Sequence, residues 1–282
     1  MNISRIAVVG AGFMGSGIAE SAAAAGVDVT VYEPEQPPLE RSRVRLKQSV
    51  ARAVSRGKVS QEDAESLIGR IAYSSQIDDL LGVDAVIEAV TEDPRLKGTL
   101  FAQFDEQLPD AQFLASNTSS IPIAELAAWT QRPERVIGLH FFSPVPVMKL
   151  VEVVVGLDTA ETTVVSAETF ASEIGKQPIR TKDRSGFIVN MLLVPYLMAA
   201  VRMYEEGFAT REDIDEGMRL GCGHPMGPLT LCDFIGLDVL YAICGSLYEE
   251  FKRPEYAPTP LLKRMVVSGH HGRKAGKGFY EY

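Results

Sequence analysis

Gly10-Ala11-Gly12-Phe13-Met14-Gly15 decides the fold. The stretch follows an apolar, β-branched run at residues 5–9 and opens a helical pattern that extends to residue 25. A GxGxxG between strand and helix is a dinucleotide-binding fingerprint. Its first glycine permits a tight turn, its second lets the backbone approach a pyrophosphate, and its third lets helix and strand pack closely. The helix then offers free N–H groups and a partial positive charge to the phosphates. Gly10, Gly12, Phe13, Met14 and Gly15 are therefore candidate cofactor-binding residues. Glu33 follows the next β-branched run, residues 27–32. An acid there accepts hydrogen bonds from both ribose hydroxyls of NAD and repels the 2′-phosphate of NADP, so the cofactor expected is NAD.

Further strands are predicted at 71–73, 85–88, 113–115, 136–139 and 151–155, with helical patterns between most of them. Such alternation predicts a parallel sheet with helices on both faces. Only a loop with Pro144 and Pro146 separates the last two runs, which suits antiparallel pairing at the end of the sheet. After Asp183 the strand-like runs stop, and helices are predicted over 187–206, 210–220, 229–237, 239–251 and 260–267. Thr210 and Asp213 resemble a capping box with Asp in place of Glu. The expected fold class is α/β, a Rossmann-type doubly wound sheet in residues 1–183 followed by an all-α domain in residues 184–282.

The net charge of −9 argues against a nucleic-acid binder and against adhesion to an anionic membrane surface. The run at residues 6–9 is too short for a signal-peptide core, and no apolar stretch reaches the ~20 residues that span a bilayer. Cys222, Cys232 and Cys244 are odd in number and widely spaced, which implies neither a disulfide framework nor a metal site. A cytoplasmic protein is expected.

Three polar intrusions carry the chemistry. Ser116-Asn117-Thr118-Ser119-Ser120 follows a predicted strand. Ligands of open α/β sheets bind beyond the carboxyl ends of the strands, so this loop either meets nicotinamide and substrate or caps the next helix. His140 ends the run Val136-Ile137-Gly138-Leu139, and Glu152 interrupts Leu150-Val151-Glu152-Val153-Val154-Val155. A carboxylate in such a run is costly to bury alone. If the two strands pair, Glu152 faces His140 and orients the imidazole, giving a base for a hydroxyl proton and an acid for a carbonyl. Asn190 breaks the apolar start of the helical domain; it either bonds its own helix or donates to a substrate oxygen.

Residues 40–58 hold seven basic side chains and one acid. At ~100° per residue, Arg41, Arg45, Arg52 and Arg56 share one helix face. Carboxylate partners at i±4 are mostly missing, and a stripe of this kind suits a polyanion such as the phosphates of coenzyme A.

Taken in order, several stretches resemble the short-chain L-3-hydroxyacyl-CoA dehydrogenase family, which includes bacterial 3-hydroxybutyryl-CoA dehydrogenases. They are residues 10–19, 116–120, 140–142, 146–153, 186–190, 224–228 and 276–280, spread over essentially the whole chain. The resemblance implies interconversion of (S)-3-hydroxyacyl-CoA and 3-oxoacyl-CoA with a catalytic His140–Glu152 pair. It implies that Ser119 and Asn190 bind the reacting end of the substrate, and that Glu33, Glu92, Lys97 and Asn117 contact NAD. It also implies coenzyme A near Arg52 and Arg56, and a homodimer built through the helical domain. Two positions depart from the family pattern: Ser143 stands where Asn is usual, and Ser185 where Pro is usual. The competing readings keep the chemistry on a carrier-bound or free hydroxy acid, or make the chain a non-catalytic dinucleotide-binding protein.

Overall fold

Ile6, Val8, Val29, Val31, Ile87 and Phe113 are too apolar for an edge, and they pack into the centre of one sheet. In the computed structural model, which describes residues 3–282, this sheet has eight strands among the described residues. They are β1 (Arg5–Val9), β2 (Asp28–Tyr32), β3 (Ile71–Ser74), β4 (Ala85–Glu88), β5 (Phe113–Ser116), β6 (Val136–Phe141), β7 (Leu150–Val155) and β8 (Gln177–Lys182). The spatial order is β3-β2-β1-β4-β5-β6-β7-β8. β1 to β6 pair in parallel, β7 is antiparallel to β6, and β8 is parallel to β7. The chain leaves β1 first toward β2 and β3, then crosses to β4 on the other side, so the topological switch lies between β1 and β4. That is where doubly wound sheets open a ligand crevice.

α1 (Phe13–Ala24), α2 (Gln36–Ser55), α3 (Gln61–Gly69), α4 (Pro94–Gln107), α5 (Ile123–Ala127) and α6 (Glu161–Glu173) connect these strands. α2 is amphipathic: Leu39, Leu46 and Val50 are buried with Ile18 of α1, which leaves the arginines outside. β8 has no counterpart among the strands expected from the sequence. Its residues, Gln177-Pro178-Ile179-Arg180-Thr181-Lys182, are mostly exposed, because an edge strand needs no continuous apolar run.

The chain divides into two units at Asp183 and Arg184. The second contains α7 (Val189–Glu205), α8 (Arg211–Cys222), α9 (Pro228–Ile235), α10 (Leu237–Phe251) and α11 (Pro260–Val267). Its core gathers Val194, Leu197, Met198, Leu229, Leu240, Leu247 and Phe279. Thr210 caps α8 by accepting from the Asp213 N–H, and its hydroxyl donates to the Asp213 carboxylate at 2.6 Å. The chain turns by 96° at Gly236, so the predicted helix over 229–237 ends two residues early. No single described helix is long and apolar enough to cross a membrane.

Candidate active site

The carboxyl ends of β1, β2, β4, β5 and β6 collect the polar residues of the first unit. Gly10 leaves β1 with φ +104°, a conformation open to glycine. A Cβ there would also lie 2.7 Å from the Ala89 carbonyl oxygen across the switch point. A Cβ on Gly15 would strike the Gly10 carbonyl, so the third glycine is fixed by the approach of helix to turn. Nothing lies within 4 Å of the Cβ position of Gly12, and α1 begins there without a side-chain cap. This uncapped cradle suits a pyrophosphate. Glu33 turns back toward it and accepts from the Ala11 N–H at 3.3 Å, which holds the acid beside the loop, where ribose hydroxyls would lie. Together these features fit NAD.

Arg45 separates from the rest of the basic stripe. It donates to the Gly12 carbonyl at 3.2 Å and to the Ser16 hydroxyl at 2.8 Å. Arg41, Arg52 and Arg56 are exposed, with no carboxylate within 4.0 Å among the described residues.

β6 and β7 place His140 directly opposite Glu152. Cross-strand partners project from the same face of a sheet, and His140 Nδ1 meets Glu152 Oε2 at 2.7 Å. Both side chains are buried, Glu152 to 1% exposure. The Phe142 ring lies 4.6 Å from the imidazole centroid. On the neighbouring strand end, Asn117 accepts from the Phe141 N–H at 2.9 Å, tying the polar loop to the residue after His140.

Glu88, which the sequence reading did not single out, belongs to this site together with Ser116, the first residue of the polar loop. Glu88 is fully buried at the end of β4. It accepts from Lys97 Nζ at 2.7 and 2.9 Å, from the Ser116 hydroxyl at 2.6 Å and from the Val90 N–H at 2.6 Å. Burial pushes the Glu88 carboxyl up, against the pull of the Lys97 ammonium and the Ser116 hydroxyl. Lys97 is 1% exposed and also pairs with Glu92 at 3.2 Å. Glu92 in turn accepts from Thr118 Oγ1 at 3.1 Å, Ser119 N at 2.9 Å and Ser119 Oγ at 3.4 Å. Lys97 thus reaches the polar loop through Glu92.

Ser143 is exposed in the β6–β7 loop. In the second unit, Asn190 lies in the first turn of α7, and Ser185 donates to Glu250 of α10. No cluster of three or more metal-ligating side chains occurs among the described residues.

Residues 5–184 match the family described as 3-hydroxyacyl-CoA dehydrogenase, NAD binding domain, and residues 186–282 match its C-terminal domain. The chain is 53% identical to a 3-hydroxybutyryl-CoA dehydrogenase of Mycobacterium tuberculosis, covering 99% of both. The crystal structure of M. tuberculosis FadB2 superposes with a TM-score of 0.98 at 52% identity, covering 100% of each chain. That of (S)-3-hydroxybutyryl-CoA dehydrogenase PaaH1 from Ralstonia eutropha gives 0.94 at 43% identity, covering 100% of this chain and 99% of that one.

Proposed function

As the chain belongs to the 3-hydroxyacyl-CoA dehydrogenase family and is an NAD-dependent oxidoreductase, we propose that it interconverts (S)-3-hydroxybutyryl-CoA and acetoacetyl-CoA with His140 as acid and base. The observation that carries this reading is the 2.7 Å contact between His140 and Glu152 at the carboxyl ends of the parallel strands, the end of the sheet where the glycine loop also lies. When bound, NAD supplies the nicotinamide that takes a hydride from C3 and returns it in reverse.

The protein's own groups handle the proton and the orientation. Glu152 holds Nδ1 and fixes the tautomer, so proton exchange with the substrate oxygen runs through Nε2. In oxidation His140 takes the 3-hydroxyl proton; in reduction it gives that proton back. The Ser119 hydroxyl, steadied by Glu92, orients the 3-oxygen, and Asn190 is assigned to the thioester end. Gly10, Gly12, Phe13, Met14 and Gly15 receive the pyrophosphate, and Arg45 adds a cation beside them. Glu33 takes the adenosine ribose, while Glu92, Lys97 and Asn117 shape the nicotinamide end. Arg52 and Arg56 attract the phosphates of coenzyme A.

Residues 1–183 are thus the NAD domain, and residues 184–282 the substrate and dimerisation domain. Leu192, Phe208 and Leu220 of the helical unit are each at least 70% exposed, which supports burial in a homodimer. A cytoplasmic location suits three free cysteines.

The reaction is tested by following NADH formation from NAD with (S)- and (R)-3-hydroxybutyryl-CoA. Turnover of the S ester alone supports the proposal; turnover of neither, or of the R ester alone, refutes it.

A further inference from the structure

An ionised carboxylate with no exposed surface is costly unless its partners are good. Glu88 has four hydrogen bonds onto its side chain, and three of them come from Lys97 and Ser116, which lead into the polar loop. Two chains of contacts leave it. One runs from Lys97 to Glu92 and ends on the N–H and hydroxyl of Ser119. The other runs through the Ser116 hydroxyl, which accepts from the Thr118 N–H at 3.1 Å. The Glu88 carbonyl also accepts from the Asn117 N–H at 2.8 Å. Residues 117, 118 and 119 are therefore all fastened, directly or through one or two partners, to a single buried residue.

Fold stability alone does not ask for this arrangement. A buried ion pair contributes little more than apolar side chains of similar volume. Here the ammonium is shared with Glu92, whose side chain is 42% exposed. One ammonium thus joins two carboxyl groups, and the second, Glu92, reaches the Ser119 N–H and hydroxyl.

We propose that Glu88 is a positioning residue for the reaction: through Lys97, Glu92 and Ser116 it fixes the loop that presents the Ser119 hydroxyl to the substrate oxygen. This rests on the dehydrogenase reading for what Ser119 does, but not for how the loop is held.

The test compares Glu88→Gln, the double variant Glu88→Gln/Lys97→Met, and Ser116→Ala with the wild-type enzyme. Melting temperature, steady-state kinetics with NADH and acetoacetyl-CoA, and amide hydrogen exchange at residues 117–120 are measured. Glu88→Gln alone strands a buried ammonium and lowers the melting temperature. The double variant removes both charges and recovers it. Its kcat/KM stays about tenfold or more below wild type with KM raised, and the loop amides exchange faster. Ser116→Ala, which leaves the ion pair intact, raises KM and speeds exchange at Thr118. Recovery of both stability and kcat/KM to within about twofold in the double variant would reduce Glu88 to a structural counter-ion and overturn the assignment. So would unchanged loop exchange in all three variants. Exchange is read without turnover, so a wild-type enzyme inactive on acetoacetyl-CoA would count against the function alone.

Discussion

His140 and Glu152 are direct partners in the antiparallel pairing of β6 with β7, and their side chains meet at 2.7 Å. Register alone makes this contact. A slip of one residue would send the two side chains to opposite faces, so the β6–β7 connection sets the geometry of the proposed acid–base pair.

Removing either partner should therefore act on chemistry and leave cofactor binding in place. His140→Ala is expected to lower kcat by ~10²–10⁴-fold. Glu152→Gln keeps the shape but no longer enforces the tautomer, and a loss in the same range is expected. Fluorescence titration with NADH should give a dissociation constant close to wild type for both. Full turnover in His140→Ala would rule out its role as acid and base.

Glu33 sits against the glycine loop with its carboxylate on the Ala11 N–H. Glu33→Ser should raise KM for NADH by about tenfold, the usual effect of losing charge-assisted hydrogen bonds. The same variant should gain activity with NADPH, because the repulsion of the 2′-phosphate is gone. Parallel kinetics with the two reduced cofactors check both effects.

Arg52 and Arg56 are exposed, and the proposal has them attract coenzyme A through charge rather than through a fitted pocket. Reversing both to Glu should raise KM for acetoacetyl-CoA about tenfold at low ionic strength, and the difference should shrink as salt screens it. KM for NADH should not follow. A salt-independent loss, or an equal loss for NADH, would place the coenzyme A phosphates elsewhere.

The thiols differ in their surroundings. Cys222 is exposed, whereas Cys232 and Cys244 are buried. Burial pushes the Cys244 thiol up to about 12. A raised thiol favours the fold most below the ordinary thiol range of about 8.5, and that contribution falls away as pH rises toward the folded value. At pH 8 a thiolate-selective reagent should label Cys222 in the native protein and all three cysteines in denaturant. Native labelling of Cys244 would contradict this burial.

Much of the fold is legible because period and punctuation agree. Strand β1, the glycine turn and α1 are local features, and they fix the cradle that fits the pyrophosphate of NAD. β8 is hidden because an exposed edge strand carries little apolar signal, and its pairing with β7 is set by tertiary structure. Glu152 stands out as an acid in an apolar run, yet Glu88 in Ala85-Val86-Ile87-Glu88-Ala89-Val90 carries the same signal. Its partner Lys97 lies on α4, nine residues on, where no strand-pairing argument leads. Arg45 shares a helix face with Arg41, Arg52 and Arg56, and only the packing of α2 on α1 assigns it to Gly12.

The central claim is tested most directly by the oxidation of NADH with acetoacetyl-CoA and with free acetoacetate, side by side. The account predicts rapid oxidation with the thioester and little with the free acid. Equal rates with both, or oxidation of NADH by the free acid alone, would contradict it.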